Sequence, residues 1–453
     1  MQLTLRPAPG RATAPASDTP PTTTLHLALA AASAALLAPA HAQTQPASAA
    51  SSTAASPTWQ VDSAVLVYRE GAGRVSAVEP VVSARRTDGN DRTLSVKLTL
   101  DALTGASPNG AAPQPAPQTF TSPSGESTYV TPAGQLPLDS SFKDTRGALA
   151  LGWEQPWGEN RRLSLGGNVS AEYDFKSVSL NGAFARDFND KNTTLSLGVA
   201  VEADRINAVG GSPVGLTPAF VSGAARSKRE SRTGIDLLVG VTQTMSRRWL
   251  TQVNLGLGRG SGSHTDPYKV VSVVDGTTGL VSGDRYVTEQ RPDSRTRQSV
   301  YWQNKLHLER DVIDASYRYY RDTWGVRAHT LDLRYRLEFG GGVHLEPHAR
   351  HYRQSAADFW RGWLVEGTDW NSTTHRAAVS NVSADHRLAQ FSANTLGAKL
   401  GVPMGPGGEL SVRLEAYRQT QKAPTSAPGV LQTLDTAPAL TATLLLVGYS
   451  LPF

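Results

Sequence analysis

The chain has 453 residues, 39% hydrophobic and 18% charged, with no cysteine, a mean hydropathy of −0.31 and a formal net charge of +5. Without cysteine there are no disulfides, no thiolate metal site and no covalent haem attachment, so any redox role would need cofactors carried by another protein. Acids and bases are scattered rather than blocked, which gives no nucleic-acid surface, and the negative hydropathy is compatible with a membrane barrel because alternate residues of a spanning strand face its interior.

Residues 1–42 read as a cleaved secretory signal peptide. Arg6 and Arg11 give a basic start, a Leu/Ala run extends from Leu25 to Leu37, and Ala40, His41 and Ala42 form an A-x-A site before Gln43. Residues 43–58, rich in Ala, Ser, Thr and Gln, read as a flexible leader. No later apolar run is long enough for a membrane helix, so a bilayer would have to be crossed by strands.

From Trp59 onward the chain falls into segments of alternating character, each about ten residues long, the length a tilted spanning strand needs. Leu94, Val96, Leu98 and Leu100 oppose Thr93, Ser95, Lys97, Thr99 and Asp101. The same period of two returns at Leu195, Leu197, Val199 and Val201, at Ile235, Leu237, Val239 and Val241, and at Leu331, Leu333, Tyr335 and Leu337. Less regular segments bring the expected strands to 59–70, 75–86, 93–101, 144–154, 162–174, 176–187, 193–204, 231–244, 249–259, 297–309, 312–323, 327–339, 343–354, 386–402, 409–420 and 440–453. The expected fold is therefore all-β, a transmembrane antiparallel up-and-down β-barrel over residues 59–453. It has about 16 strands, within a range of roughly 14–18. Alternate connections are short, and the others include every long one, namely 102–143, 205–230, 260–296, 355–385 and 421–439. That asymmetry places the short turns and both termini in the periplasm and the long loops outside the cell.

Trp59, Trp153, Trp157, Trp249 and Trp324 fall at or near predicted strand ends, where an amphipathic ring sits between lipid and water. The last strand carries Leu445, Val447, Tyr449, Leu451 and Phe453 on one face, up to the final residue. An aromatic C-terminus on an alternating strand is similar to the closing strand through which such barrels are recognised by their assembly machinery and sealed, with Pro452 a departure that interrupts little pairing.

In strands ten to fifteen the inward positions become charged. Lys305, His307 and Glu309 share one parity, as do Asp314 and Arg318. Asp332, Arg334, Arg336 and Glu338 follow, then His344, Glu346, His348 and Arg350, and finally Arg413 and Glu415. Earlier strands turn mostly Ser, Thr, Asn and Gly inward, so the lumen is expected to be lopsided, with one wall charged and the other small and neutral. His344, Glu346 and His348 form H-x-E-x-H, whose period of two could bring two imidazoles and a carboxylate to one metal ion, although salt-bridge networking explains them more simply. His264 and Asp266 sit in an outer loop with many Ser nearby, but no G-x-S-x-G surrounds a nucleophile, so the chain reads as a non-enzyme with a rim hydrolase as the weakest reading. The outer stretch 358–370 (DFWRGWLVEGTDW) is dense in aromatics, which fits a folded lid, a contact for sugar or protein, or a lipid-facing rim.

Six pieces, DALTGASPNGA (101–111), FKDTR (142–146), DPYK (266–269), RPDSRTRQSVYWQ (291–303), YRYYRDTWG (317–325) and SADHRL (383–388), make the chain resemble the bacterial outer-membrane proteins of domain-of-unknown-function family 3570. The resemblance implies an outer-membrane barrel of a Gram-negative bacterium and brings no activity, cofactor or site residues. The functional expectation is a porin-like conduit for small polar solutes, surrounded by outer-membrane lipid. The runner-up is a non-conducting barrel that docks or sheathes a periplasmic or surface protein.

Overall fold

A computed structural model describes residues 58–122, 127–140, 143–221 and 223–453. The signal peptide and residues 43–57 of the leader lie outside them. Sixteen antiparallel strands close into one barrel. They are β1 (Thr58–Glu70), β2 (Ser76–Thr87), β3 (Thr93–Thr104), β4 (Lys143–Pro156), β5 (Arg161–Ala171), β6 (Phe175–Phe188), β7 (Thr193–Ile206) and β8 (Glu230–Ser246). There follow β9 (Trp249–Gly262), β10 (Ser294–His307), β11 (Val312–Asp322), β12 (Arg327–Gly340), β13 (Val343–Gln354), β14 (Phe391–Met404), β15 (Gly408–Gln421) and β16 (Leu440–Pro452).

Each strand pairs with its neighbours in sequence, and β16 returns to β1, with Gln60 opposite Pro452 and Glu70 opposite Ala442. Trp59 and Phe453 exchange backbone hydrogen bonds of 3.1 and 2.7 Å, so the pairing extends to the terminal residue and no sheet edge is left open. The period of two decides which face each residue takes. Leu94, Leu197, Val239, Leu333 and Val447 are exposed on the outside, while the intervening polar residues line the lumen. An apolar outer face on a closed sheet is the form in which β-structure spans a bilayer, and this chain is an outer-membrane barrel.

Short turns gather at one end. Asp88 Oδ1 accepts from the backbone N–H groups of Asn90 and Arg92, and Gly340, Gly341 and Gly342 all take positive φ, which only glycine adopts at little cost. At the other end the long connections are folded. Among the described residues, all four clusters of buried hydrophobic side chains lie there rather than inside the barrel. A hairpin of Val270–Val274 and Val281–Thr288 is joined in parallel by Leu364–Val365, making a three-stranded sheet.

Two expectations need correction. Strand β14 begins at Phe391, not 386, because Asp385 accepts from the Arg387 N–H and turns residues His386–Leu388 into a 3₁₀ helix. Trp324 is 3% exposed and does not sit at the lipid boundary. Its ring packs edge-on against Phe359 and its Nε1–H donates to Ser294 O at 2.9 Å.

Candidate functional site: a charged lumen under a folded cap

The inner faces of β12, β13 and β15 carry one continuous polar chain. His348 holds Asp332 at 3.0 Å through Nε2 and Glu415 at 2.9 Å through Nδ1. Arg413 then donates to Glu415 at 3.1 Å and to Glu346 at 3.0 Å. His348 and Glu415 meet across β14 because the residue between them, in register with both, is Gly397. A Cβ there would lie 2.6 Å from Glu415 Cγ. The same device seats His344, which is 0% exposed and lies over Gly401, where a Cβ would fall 2.0 Å from the ring. His344, Glu346 and His348 thus turn to different neighbours. Among the described residues no group of three or more His, Asp or Glu side chains is placed to hold a metal ion.

The acids of this wall are engaged. Asp314 accepts from Gln303 at 2.7 Å, Glu338 takes Arg336 at 2.5 Å, and Asp332, Glu346 and Glu415 belong to the chain just described. Arg318 and Arg350 are different: both are exposed to the lumen, and neither makes a hydrogen bond or ion pair with any described residue. Arg334 is also exposed, 3.5 Å from Asp332. Lys305 faces inward opposite Asp314, whereas His307 ends β10 and Glu309 lies in the following turn, both on the short-turn rim rather than the wall.

The opposite wall is not uniformly neutral: Lys97 lies exposed on the inward face of β3, Arg162 on β5 stands 3.8 Å from Asp187 on β6, and the long-loop end is ringed with ion pairs. There Arg146 meets Asp101 and Glu79 at 3.4 and 3.8 Å, Arg232 meets Asp204 at 2.5 Å, Arg297 meets Asp236 at 3.1 Å, and Arg295 meets Asp322 at 2.5 Å. The expected lopsided lumen, with one wall charged and the other small and neutral, is corrected to a lumen with charge on both walls and a girdle of ion pairs at its long-loop end. Asp101, Asp204, Arg232 and Asp236 of the girdle lie within the expected strands, but their pairing with residues on other strands leaves no local signal in the sequence.

Above the girdle the loops close on the hairpin 270–288 and on Gln290 just after it. Ala112 N–H donates to Ser272 Oγ at 2.9 Å, Ala219 N–H to Tyr286 O at 2.8 Å, Val382 N–H to Gln290 O at 2.8 Å, and Val430 N–H to Thr278 O at 2.9 Å. These donors come from the β3–β4, β7–β8, β13–β14 and β15–β16 connections, which stand on different sides of the barrel, so the hairpin crosses the mouth as a cap. Trp363 and Trp370 are buried within it, which makes the aromatic stretch 358–370 part of a folded lid rather than an exposed contact.

A buried ionic latch fastens the cap. Arg291 donates to Glu289 at 3.1 Å and to Asp385 at 2.9 Å, and Arg387 pairs with Asp385 and, at 3.0 Å, with Asp266. Burial pushes Glu289 up, whereas the guanidiniums of Arg387 and Arg291 outweigh burial at Asp385 and hold it well below the usual carboxylate range. Tyr268 O–H donates to Asp174 in the β5–β6 turn at 2.6 Å; burial pushes that carboxyl up to about 6. His264 stands edge-on to Trp324, its pKa pushed down to about 4 by burial and then by Arg232, with no described Ser or acid bonded to it. Asp266 belongs to the latch, so these two residues do not form a hydrolase pair.

The family model described as "Protein of unknown function (DUF3570)" matches residues 26–451. No curated protein matches the chain. Among solved structures the chain is similar to CdiB from Acinetobacter baumannii, with TM-score 0.43, 8% identity, and coverage of 87% of this chain and 60% of that one. It is similar also to OccK3 (OpdO) of Pseudomonas aeruginosa, with TM-score 0.38, 10% identity, and coverage of 88% and 96%. A third is a bacterial polysaccharide outer membrane secretin, with TM-score 0.40, 9% identity, and coverage of 87% and 97%. The chain spans less than two thirds of the first of these and nearly all of the other two.

Proposed function

From the premise that this chain belongs to the DUF3570 family, whose description assigns no activity, we propose that the barrel is a conduit for small polar solutes with a preference for anions, its long-loop mouth facing out of the cell. The observation that carries this reading is Arg318 and Arg350, two guanidiniums exposed in the lumen with no described counter-charge while the acids around them are engaged. A barrel of sixteen strands is wide enough for water, and fixed charges of one sign in such a lumen select permeant ions of the other. Single-channel recording of refolded protein in a planar bilayer is the test. We expect discrete conductance steps and an anion-selective reversal potential in a salt gradient, moved toward zero or cation selectivity by Arg318→Gln/Arg350→Gln. No steps across many insertions removes the conduit and leaves the second reading, a barrel closed by its cap that docks a protein partner.

A further inference from the structure

The outer surface of the barrel at the long-loop end carries cations set against cations. Lys176 on β6 is the direct cross-strand partner of Arg205 on β7, and Arg321 on β11 is the partner of Arg327 on β12. One residue pair further, His329 on β12 stands opposite Arg353 on β13. All six face away from the lumen and are exposed, and none forms an ion pair with a described residue. Like charges directly opposite on neighbouring strands are destabilising, so the Lys176–Arg205 and Arg321–Arg327 pairs call for an anion from outside the chain, and Arg353 adds a third guanidinium two strands from Arg321.

Position says what kind of anion. Leu331 and Leu333 continue the same face of β12 immediately below His329, and Val178 and Leu180 do so below Lys176. The cations therefore lie where hydrocarbon gives way to headgroups. At the short-turn end the outward arginines are different: Arg86 lies over Trp59 at 5.8 Å, Arg186 over Phe188 at 4.8 Å, and exposed Glu159, Asp190 and Glu309 are interspersed.

We infer that the long-loop rim binds a phosphorylated glycolipid of the outer leaflet, with Arg321, Arg327 and Arg353 holding its phosphates. The inference rests on the reading that this end faces out of the cell. From β11 to β13 is two interstrand spacings, about 10 Å, a span that suits a headgroup with two phosphates better than one with a single phosphate. Tyr317 and Tyr319 lie beside these arginines, with Tyr317 Oη 2.7 Å from His329 Nδ1 and the Tyr319 ring 5.3 Å from that of His329, a flat shelf for a sugar face.

The test is native mass spectrometry of the refolded barrel in detergent, titrated with diphosphorylated lipid A, its dephosphorylated form and phosphatidylglycerol. We expect retention of the diphosphorylated lipid, weakened at least tenfold by Arg321→Gln/Arg327→Gln/Arg353→Gln and unchanged by Arg161→Gln/Arg186→Gln at the other end. Should the triple variant fail to fold, Arg353→Gln alone is expected to weaken binding at least threefold. Equal binding by the arginine variants, or by the dephosphorylated lipid, overturns the proposal, and phosphatidylglycerol binding as tightly as lipid A overturns the glycolipid assignment. Orientation is read separately by Thr277→Cys, exposed in the cap of a chain with no native cysteine. Labelling by an impermeant maleimide on intact cells supports the outward reading. Labelling only after lysis overturns the outer-leaflet site while leaving the conductance result untouched.

Discussion

Single side chains set the lumen and the foot of the cap. Gly397 is the gap through which His348 reaches Glu415, and a side chain there meets Leu414 O at 2.4 Å as well as Glu415. Gly397→Val is expected to cost about 1–3 kcal/mol by overpacking, measured as a lowered urea midpoint in folding titrations, with an unchanged midpoint opposing this view. His264, at the foot of the cap, titrates near 4 when folded against an ordinary value of 6.5. The unfolded segment therefore takes up the proton first as pH falls, so its contribution is fully present above 6.5 and is lost between 6.5 and about 4. Hydrogen exchange of residues 263–293 should accelerate across that window, and His264→Gln should remove the step. The inward parity of Arg318, Asp332, Arg334 and His348 was legible in sequence because period two fixes it. Their partners were not, since contact across a glycine on an intervening strand leaves no local signal.

Among the elements, strands were far more legible than loops. Fifteen of the expected strands begin within three residues of the observed start, and only β14 is displaced further, by five. The cap was unreadable for a physical reason: Val270–Val274 is buried throughout, so it shows a short apolar run rather than an alternation, and its partners are distant in sequence. The six pieces that carry the family resemblance nonetheless converge here. Asp101, Arg146, Asp266, Arg291, Arg295, Asp322, Asp385 and Arg387 all come from them and supply ion pairs of the girdle and the latch. Asp385→Asn leaves Arg291 and Arg387 buried without that counter-charge, a loss of about 3–5 kcal/mol. The expected result is protease cleavage within 355–390 and a larger single-channel conductance, with the barrel itself still resisting denaturation in cold detergent. A variant as resistant and as conducting as the native chain would show that the latch does not hold the cap.

For the molecule as a whole, a mean hydropathy of −0.31 and a bilayer-spanning fold are reconciled by the barrel's two faces, one against lipid and one against water. Both the proposed conduit and the proposed lipid-binding rim depend on that division, and the absence of native cysteine makes it directly measurable. Cysteines placed singly at Asp332, Leu333, Arg334 and Leu331 of β12, in protein reconstituted into vesicles, are to be challenged with a small charged thiol reagent. The expected outcome is fast modification at 332 and 334 and protection at 331 and 333. Equal reactivity at all four positions would contradict the barrel's division into lipid and water faces.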